Sequence, residues 1–570
     1  MAGKKILIVG GVAGGATASA RLRRLDENSQ IIIFERGEHI SFANCGLPYY
    51  IGGTITKREK LLVQTVKGMS IRYRLDIRTK SEVLNINRQE KKVEVKDLKT
   101  GEHYTESYDY LILSPGASPI IPEIEGLTAT PGVFTLRSIP DADAILKYLE
   151  EKSPQNAVVI GGGFIGLEMV ENLAERGLKV SLVEATDQVQ PAVDYEMACF
   201  LHAHLQEKGV ELILQDKIVK VGNGKAVLQS GRELATDMLI VAIGVKPEND
   251  LALKAGLEIG ERGAVRVNEF LQTSDENIYA IGDVIEVKNY ISGTPTHIPL
   301  AWPANRQGRI VADNIYGQRK SYKGTLGTSV AKVFDLTVAS TGLNEKTLKK
   351  QGIAYKTVHI HPNAHAAYYP GATPIALKMT FGEDGTIFGA QAIGKAGVEK
   401  RIDVIATAIK GNLTVYDLQD LELAYAPPYS SGKDPVNMLG YVAANVLEGM
   451  LETVQYAEID ELVAAGELLL DVREPKEVAL GSIPGSLNIP LSQLRERLGE
   501  LPKNKPIYIT CQVGLRGYLA ARILAQNGFK PFNLDGGYQT YTSKFPAKTK
   551  KEGNCQTKVD DTGTAVTKCH

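Results

Sequence analysis

Apolar residues near the N-terminus form a short run that is followed by a glycine-rich turn and a helical pattern. The stretch KKILIVGGVAGGATASARLRRL predicts a buried strand, a tight turn and a helix, and IIIFERG predicts a second strand ending at Glu35. Glycine lets the backbone approach a phosphate, and the free amides at a helix N-terminus bind anions. Gly10, Gly14 and Gly15 therefore predict a dinucleotide-binding turn with Glu35 at the ribose, although Val12 replaces the second glycine of the usual spacing.

The same pattern returns in NAVVIGGGFIGLEMVENLAERGLKVSLVEA, where Gly161, Gly163 and Gly166 follow the full spacing. Glu184 ends the next strand. An acid at this position suits a free ribose 2′-hydroxyl and repels a 2′-phosphate, which favours NADH over NADPH. Two such turns in one chain imply two dinucleotides.

A third strand-turn-helix pattern lies near the C-terminus, in KPIYITCQVGLRGYLAARILAQNGF. Cys511 closes the strand, and the six residues from Cys511 to Arg516 form a short loop at a helix N-terminus. Inward-pointing backbone amides and the helix dipole both lower the pKa of a thiol. The sequence therefore predicts that Cys511 is reactive and that its loop stabilises an anionic sulfur.

Composition narrows the class of protein. A chain of 570 residues is too long for one core and predicts roughly three or four domains. The net charge of −1 gives no electrostatic reason to expect nucleic acid or an anionic membrane surface as a partner. No apolar run approaches the ~18 residues of a membrane span, and the N-terminus does not resemble a signal peptide. Five scattered cysteines (45, 199, 511, 555 and 569) argue against a disulfide framework and predict a reducing, cytoplasmic environment.

The stretch SFANCGLPYY contains a cysteine with no second cysteine nearby, since the next one is Cys199. A dithiol centre is therefore excluded at Cys45. Two interpretations remain: a small buried apolar residue, or a redox thiol whose partner sulfur arrives on a substrate.

The order of these motifs, together with NIYAIGDV, which places Asp283 after an apolar strand and a glycine, resembles that of the flavoprotein disulfide reductases that bind two dinucleotides. The resemblance covers residues 1 to about 445 and implies an α/β fold with two Rossmann-like domains, an α+β dimerisation domain and bound FAD and NADH. It implies an FAD-binding domain at 1–150 completed by 271–325, an NAD-binding domain at 151–270 and a dimerisation domain at 326–450. The predicted cofactor-binding residues are Gly10, Ala13, Gly14, Gly15, Glu35, Arg36, Gly161, Gly163, Gly166, Glu184, Gly282 and Asp283.

Relatives with a single cysteine divide into two groups. One group reduces peroxide or oxygen and carries a histidine where this chain has Ala13, which disfavours an NADH oxidase or peroxidase. The other group is the coenzyme A-disulfide reductases, which GGVAGGATASARLRRL and SFANCGLPYYIGG resemble closely. This resemblance implies that Cys45 attacks a disulfide or persulfide and holds one half as a mixed disulfide.

The resemblance also implies residues for substrate and subunit contacts. Tyr368 and Tyr425 match tyrosines that reach the cysteine of the other subunit, which predicts a homodimer. Three histidines in HIHPNAH are interpreted as packing residues, so no metal site is predicted. The predicted substrate-binding residues are Thr17, Arg24, Ser41, Asn44, Arg74, Asn305 and Lys433.

Residues 455–545, with LLLDVRE, Cys511 and NLDGGYQTY, resemble a C-terminal α/β rhodanese domain, followed by a polar tail at 546–570 with no assigned role. In this resemblance Cys511 and Arg516 are catalytic. The fusion resembles NADH-dependent persulfide reductases and predicts reduction of coenzyme A disulfide, coenzyme A persulfide or polysulfide with release of hydrogen sulfide. The motifs do not rank these substrates. An NADH oxidase or peroxidase, or a sulfurtransferase that delivers persulfide to a partner protein, remain alternatives.

Overall fold

The computed structural model describes residues 3–544 and the backbone of the strands Cys555–Val559 and Ala565–Cys569. The chain divides into two compact units. The first comprises Met1–Asp194 and Lys208–Met450, and the second comprises Tyr195–Glu207 and Leu451–His570. The side chains of the predicted polar tail, including Cys555 and Cys569, lie outside the described residues.

A five-stranded parallel sheet forms the first part of the first unit. Its strands, in order across the sheet, are Ile278–Ala280, Tyr110–Leu113, Lys5–Val9, Gln30–Glu35 and Asp76–Thr79. Successive residues of a strand point to opposite faces, and Ile6, Leu7 and Ile8 are all fully buried, so both faces of this sheet are covered. An antiparallel sheet of Ser81–Asn87, Lys92–Asp97 and His103–Ser107 adjoins it in sequence. The helices of this part are Ala13–Leu25, Leu47–Gly52, Val66–Tyr73 and Ala301–Ile315, with 3-10 turns at Asn44–Gly46, Arg58–Leu61 and Gly282–Val284.

A second parallel sheet repeats this arrangement. Its order is Glu211–Leu214, Lys179–Glu184, Asn156–Ile160, Met238–Val241 and Val133–Phe134. The helices are Ile139–Lys152 and Phe164–Glu175, and the smaller strands are Ile218–Gly222, Lys225–Leu228, Glu233–Ala235, Ala117–Pro119 and Val245–Pro247. The helix Asp250–Lys254 packs instead in the core of the first sheet, as does the strand Val287–Lys288, which pairs with Pro295–Thr296. Val133–Phe134 therefore joins the second sheet although it precedes the predicted boundary at residue 150. The predicted domain boundaries stay predictions.

An antiparallel sheet completes the first unit, in the order Ser329–Val333, Leu336–Gly342, Ile387–Gly394, Ile375–Phe381 and Lys356–Ile360. Every residue of Ile375–Phe381 is buried, including Lys378. The helices Glu345–Gln351, Val398–Lys410, Asp417–Asp420 and Pro435–Leu447 belong to this part. The amphipathic helix Val398–Lys410 places Ile402 and Ile405 in the core that this sheet shares.

The second unit contains its own parallel sheet, ordered Thr453–Val454, Lys530–Leu534, Pro506–Thr510, Leu468–Asp471 and Leu487–Asn488. Its helices are Tyr195–Glu207, Ile459–Ala464, Pro475–Val478, Leu515–Gln526 and Gly537–Ser543, with a 3-10 turn at Leu498–Glu500 and an antiparallel pair of Cys555–Val559 and Ala565–Cys569. The phenol of Tyr456 donates a hydrogen bond to the Glu196 carboxylate at 3.1 Å, so the helix Tyr195–Glu207 is tied to this unit.

Candidate active sites

The first glycine turn has the backbone that a phosphate site requires. Gly10 has a φ of +96°, and a Cβ there would lie 2.1 Å from the Ser114 carbonyl oxygen. A Cβ on Gly15 would lie 1.9 Å from the Gly10 carbonyl oxygen, and one on Gly14 would lie 3.0 Å from Ile281. The helix then begins at Ala13 with its free amides at the turn.

Glu35 ends its strand beside this turn, as predicted. Its Oε2 accepts a hydrogen bond from the Gly11 N–H at 2.9 Å, and its Oε1 accepts one from the Gly37 N–H at 2.8 Å. A carboxylate can accept about four hydrogen bonds, so capacity for a ribose remains. The neighbouring Arg36 is exposed and lies 3.3 Å from Glu248.

The second glycine turn has the same backbone conformation and the same close contacts as the first. Gly161 has a φ of +100°, a Cβ on Gly166 would lie 1.9 Å from the Gly161 carbonyl oxygen, and Glu184 accepts the Gly162 N–H at 2.8 Å. Gly163 differs, because its backbone suits any residue and a Cβ there would meet no protein atom within 4 Å. Glycine at Gly163 thus keeps open the space at the helix N-terminus, and this space fits the pyrophosphate of a dinucleotide.

Asp283 lies in the 3-10 turn that follows the edge strand Ile278–Ala280 of the first sheet. Gly282, with a φ of +78°, donates its N–H to Oε1 of Gln307 at 2.7 Å. Burial raises the pKa of the Asp283 carboxyl. The turn therefore holds a polar side chain in a desolvated place, which suits a ligand with hydroxyl groups such as the ribityl chain of FAD.

Cys45 lies in the 3-10 turn Asn44–Gly46, directly before the helix Leu47–Gly52. Its side chain is exposed, but the surrounding protein still desolvates the sulfur, and this burial together with the charges of Glu168 and Asp283 raises the pKa of the thiol. The residues of the chain itself thus favour the thiol over the thiolate.

Glu168 and Tyr49 were not predicted as site residues. Burial and the nearby charge of Glu171 raise the pKa of Glu168 to about 7. Burial and then the charge of Glu168 raise the pKa of Tyr49. The sequence signal for Glu168 was a carboxylate within the mostly apolar stretch that forms the helix Phe164–Glu175.

Two predicted substrate residues meet in the structure. The Thr17 hydroxyl donates a hydrogen bond to the Asn305 side chain, from the helix Ala13–Leu25 to the helix Ala301–Ile315. These helices pack closely, since a Cβ on Gly308 would lie 2.5 Å from the Gly14 carbonyl oxygen. Thr17 and Asn305 therefore share one surface beside the first glycine turn.

The basic run on the first helix has three different environments. Arg21 pairs with the buried Asp313 at 2.7 Å. Arg23 is only 5% exposed, and its guanidinium donates hydrogen bonds to backbone carbonyls. Arg24 is exposed and lies 6.0 Å from the centre of the Tyr73 ring. Among these three cations, Arg24 is therefore the one available to a ligand phosphate.

The remaining predicted substrate residues lie at the surface or in turns. Ser41 has a φ of +46° and donates its N–H to the Gly11 carbonyl at 3.0 Å, which places it against the first glycine turn. Asn44 and Lys433 are exposed. Arg74 is exposed at the end of the helix Val66–Tyr73, 3.8 Å from Glu27.

Tyr368 and Tyr425, predicted from the resemblance to reach a second subunit, lie next to each other in the structure. Their phenol oxygens lie 2.8 Å apart, although the residues are 57 positions apart in sequence. The side chains are 75% and 49% exposed. The hydrogen bond between the phenols raises the pKa of Tyr368. The paired hydroxyls thus face outward from the chain.

Cys511 has the opposite environment to Cys45. Its side chain is 1% exposed, and the Gly514 N–H donates a hydrogen bond to its sulfur at 3.1 Å. The Tyr538 N–H donates to the Cys511 carbonyl at 2.7 Å, and a Cβ on Gly537 would lie 2.5 Å from that oxygen. The short loop is thus closed around the sulfur by the backbone of a second segment.

Arg516, at the end of this loop, forms a bidentate pair with Glu477. Its two terminal nitrogens lie 2.6 and 2.7 Å from the carboxylate oxygens, and the pair lowers the pKa of Glu477 to about 2. Below the loop, the buried Arg473 pairs with the fully buried Asp471 at 2.7 Å and lies 4.1 Å from the centre of the Tyr538 ring. The second site therefore holds its charges in internal pairs.

The described residues contain neither a cluster suited to a metal ion nor a helix suited to a membrane. Across the part of the chain that the structure describes, no group of three or more His, Cys, Asp or Glu side chains is placed to hold a metal ion. In the same part, every helix is too short or too polar to cross a bilayer.

Two glycine turns on parallel sheets, with an exposed thiol in the same unit, define a dinucleotide-dependent redox enzyme. Residues 4–308 match the pyridine nucleotide-disulphide oxidoreductase family, residues 328–434 match the dimerisation domain of that family, and residues 455–544 match the rhodanese-like domain. The chain belongs to the pyridine nucleotide-disulphide oxidoreductase family. The predicted fold class, with its C-terminal rhodanese domain, is confirmed.

Named relatives agree with this assignment. A coenzyme A disulfide reductase of Staphylococcus aureus (strain bovine RF122 / ET3-1) is 39% identical over 77% of this chain and 99% of its own length. The crystal structure of reduced CoADR-RHD from Bacillus anthracis is 59% identical, with a TM-score of 0.95 over 95% of this chain and 98% of that chain. An NAD-dependent persulfide reductase from A. fulgidus is 39% identical, with a TM-score of 0.88 over 94% of this chain and 100% of that chain.

Proposed function

We propose that this enzyme reduces coenzyme A disulfide and coenzyme A persulfide with NADH, through bound FAD and Cys45. The observation that carries the proposal is the exposure of Cys45, since Cys199 and Cys511, the other cysteines among residues 3–544, are both buried. An exposed redox thiol without a neighbouring cysteine needs a partner sulfur from its substrate. The names of the relatives support coenzyme A disulfide or a persulfide as that substrate.

The cofactors follow from the two glycine turns. Gly10, Gly14 and Gly15, with Asp283, would hold FAD, and the open space at Gly163 would hold the pyrophosphate of NADH. When bound, these groups supply a hydride from NADH and two electrons for sulfur. Glu184 would accept hydrogen bonds from the free ribose of NADH, which favours NADH over NADPH.

The sulfur chemistry belongs to Cys45. Its thiolate attacks the sulfur–sulfur bond of the substrate, forms a mixed disulfide with one half and expels the other half as a thiolate. Two electrons then cleave the mixed disulfide, restore Cys45 and release the second thiol. The outward-facing hydroxyls of Tyr368 and Tyr425 would donate a proton to the leaving sulfur of a second subunit, so we infer a homodimer.

The substrate surface would be formed by the residues around the first helix. Arg24 offers an exposed guanidinium to the phosphates of coenzyme A, and Thr17 and Asn305 offer a hydroxyl and an amide beside the glycine turn. Ser41 and Asn44 precede Cys45 and would line the thiol channel, while Arg74 and Lys433 offer further exposed cations.

The rhodanese domain would handle sulfane sulfur. The Gly514 N–H already donates to the Cys511 sulfur, and such amides stabilise a persulfide anion. Arg516 closes the same loop. Sulfane sulfur from polysulfide would be carried on Cys511, and its reduction would release hydrogen sulfide. Both thiols have to stay reduced for this chemistry, so we place the enzyme in the cytoplasm.

One experiment tests the proposal against its alternatives. The purified enzyme should be yellow, retain FAD, and oxidise NADH faster than NADPH when coenzyme A disulfide or persulfide is added. A colourless but folded preparation, or NADH oxidation that needs only oxygen, would contradict it and favour the oxidase chemistry of the Lactobacillus brevis NADH oxidase, which is 26% identical. Sulfide release that needs an acceptor protein would favour the sulfurtransferase.

A further inference from the structure

The two paired tyrosines lie on different loops of the first unit. Tyr368 belongs to residues 361–374, which connect two strands of the antiparallel sheet and are called here the sheet loop. Tyr425 belongs to residues 421–434, which precede the helix Pro435–Leu447 and are called the helix loop. A single hydrogen bond between exposed phenols contributes little against the conformational entropy of two loops. Other contacts therefore have to hold the loops together.

Arg401 contacts both loops. It lies on the helix Val398–Lys410 and is 1% exposed. Its Nη2 donates to the Ala364 carbonyl of the sheet loop at 2.9 Å and lies 3.2 Å from the Ser430 hydroxyl of the helix loop. One buried guanidinium thus joins the two loops that carry the tyrosines.

Asp434, the last residue of the helix loop, fixes this guanidinium. It is buried, its Oδ2 lies 3.0 Å from Nη2 of Arg401, and the same oxygen accepts a hydrogen bond from the Ser430 hydroxyl at 2.6 Å. Its Oδ1 accepts the Val436 N–H at 3.0 Å, at the start of the helix Pro435–Leu447. Burial opposes the charge of Asp434, but these hydrogen bonds and Arg401 lower the pKa of the carboxyl. The guanidinium therefore faces an ionised partner.

The backbones of the two loops also meet beside this cluster. The Ala366 N–H of the sheet loop donates to the Ser430 carbonyl of the helix loop at 2.9 Å. The Ala364 N–H donates to the Thr373 carbonyl at 2.8 Å, which closes the base of the sheet loop. Ala364 and Ser430 thus belong both to this backbone contact region and to the contacts of Arg401.

We propose that Arg401 is a positioning residue for the reduction of coenzyme A disulfide, because it holds the loops of Tyr368 and Tyr425 so that their phenols stay paired. A phenol that gives its proton to the leaving sulfur becomes a phenolate, and a hydrogen bond from the second phenol stabilises that anion. Arginine suits this role because its planar fork binds several acceptors at once, whereas lysine offers a single nitrogen.

The inference rests on the proposed function, in which the tyrosine pair donates this proton, so one of its two readouts does not depend on activity. The full-length, FAD-containing protein is oxidised briefly with a ruthenium photosensitiser and persulfate, which joins neighbouring tyrosines as dityrosine. Mass spectrometry of the digested protein gives the yield of the cross-link between Tyr368 and Tyr425. The second readout is kcat and KM for coenzyme A disulfide.

The variants separate a positioning effect from general destabilisation. Arg401→Lys keeps the buried charge but loses the fork, and Ser430→Ala removes one hydroxyl while the ion pair remains. The matched control is Arg23→Lys, since Arg23 is another buried arginine of the first unit that donates to backbone carbonyls. Each variant is checked for FAD absorbance and circular dichroism.

Arg401→Lys should lower the cross-link yield by about threefold and kcat by about tenfold, with KM and FAD content unchanged, because the proton donor is misplaced. Ser430→Ala should lower both quantities by about twofold. Arg23→Lys should leave the cross-link yield at the wild-type value. In a Tyr425→Phe background, Arg401→Lys should lower kcat by less than about twofold more, since the pair is already absent.

A wild-type cross-link yield in both Arg401→Lys and Ser430→Ala, with the fold and FAD intact, would overturn the inference. An equal loss of the cross-link in Arg23→Lys would also overturn it, because the effect would then be general destabilisation. Fully additive losses of kcat in Arg401→Lys and Tyr425→Phe would show that Arg401 does not act through the pair.

Failure of the proposed function gives a different result. A wild type that reduces coenzyme A disulfide, together with Arg401→Lys that keeps both the rate and the cross-link, rejects the inference and leaves the proposed function standing. The expected loss of the cross-link in an enzyme that does not reduce coenzyme A disulfide rejects the proposed function instead.

Discussion

The two thiol sites of this enzyme differ in the exposure of the sulfur and in the groups that act on its charge. Cys45 is exposed, and the residues around it raise its pKa. Cys511 is buried and receives a hydrogen bond from a backbone amide of its own loop. The carboxyl near the first thiol, Glu168, has a raised pKa, whereas Glu477 in the second site has a lowered one.

This difference indicates how each site is completed. The loop of Cys511 supplies its own donors, and its cations are paired inside one unit, so this site is built by local structure. Cys45 is exposed, and the carboxyl groups near it disfavour its thiolate. We therefore expect this site to depend on the cofactors and the substrate that bind there. Four predictions test this comparison.

Removal of each thiol should separate the two sites most strongly. Cys45→Ser should lower the rate of coenzyme A disulfide reduction by about 1,000-fold or more, since no other exposed thiol of the described chain replaces it. Cys511→Ser should leave this rate within about twofold, but slow polymeric sulfane donors about tenfold, which is ~1.4 kcal/mol of transition-state free energy. Steady-state NADH oxidation with each substrate measures both effects. Equal loss of coenzyme A disulfide reduction in the two variants would show that the thiols form one obligatory relay.

The internal ion pair of the second site should matter far more for stability than an exposed ion pair of the first unit. Arg473→Leu leaves the fully buried Asp471 without its cation and should cost about 3–5 kcal/mol in the second unit. Arg58→Leu breaks a pair with Asp143 whose side chains are 36% and 37% exposed, and should cost at most about 1 kcal/mol.

Denaturant unfolding measures both costs. Trp302, the single tryptophan of the chain, reports on the first unit, and circular dichroism reports on both. Similar costs for Arg473→Leu and Arg58→Leu would show that the second site is no more self-contained than the first.

Subunit mixing should distinguish the sites further, because only the first is expected to need a second chain. Cys45→Ser and Tyr425→Phe chains, each nearly inactive, are unfolded, mixed and refolded together. Random pairing would give about a quarter of the wild-type number of complete sites and thus about a quarter of the activity. Tyr429→Phe, which removes another exposed phenol, should retain wild-type activity as a control. Verified heterodimers without any recovered activity would place both groups in the site of one chain.

The smallest effect should appear in the pH dependence of stability. The pKa of Glu168 is raised to about 7, so the folded first unit binds more protons than the unfolded chain and gains stability as pH falls from 7 toward 4.5. The pKa of Glu477 is lowered to about 2, so its contribution is present above 4.5 and is lost as pH falls toward 2.

Glu168→Gln should remove a gain on the order of 1 kcal/mol from the first unit between neutral and mildly acid pH, since one pKa unit corresponds to about 1.4 kcal/mol. The measurement is the thermal midpoint from Trp302 fluorescence at several pH values. Parallel curves for Glu168→Gln and the wild type would show that Glu168 titrates normally.

The sequence alone determined those parts of the molecule that lie within one strand-turn-helix segment. Both glycine turns, the acids Glu35 and Glu184, and the loop of Cys511 were predicted in the positions that the structure shows. Such segments are specified by hydrophobic periodicity and by glycine conformations over about 30 residues, so the information is local. Tyr368 and Tyr425 were selected by family resemblance, and their pairing was not predicted, because a separation of 57 residues has no local signal.

Contacts between distant segments depend on the folded chain as a whole. The hydrogen bond of Thr17 with Asn305 joins residues 288 positions apart, and the pair of Arg516 with Glu477 spans 39. Glu168 was missed because its raised pKa comes from burial and from the charge of Glu171 in the folded chain. The helix Tyr195–Glu207 belongs to the second unit although it lies within the predicted NAD-binding domain. Burial and charge at these positions depend on which segments the folded chain places together, and no single segment contains that information.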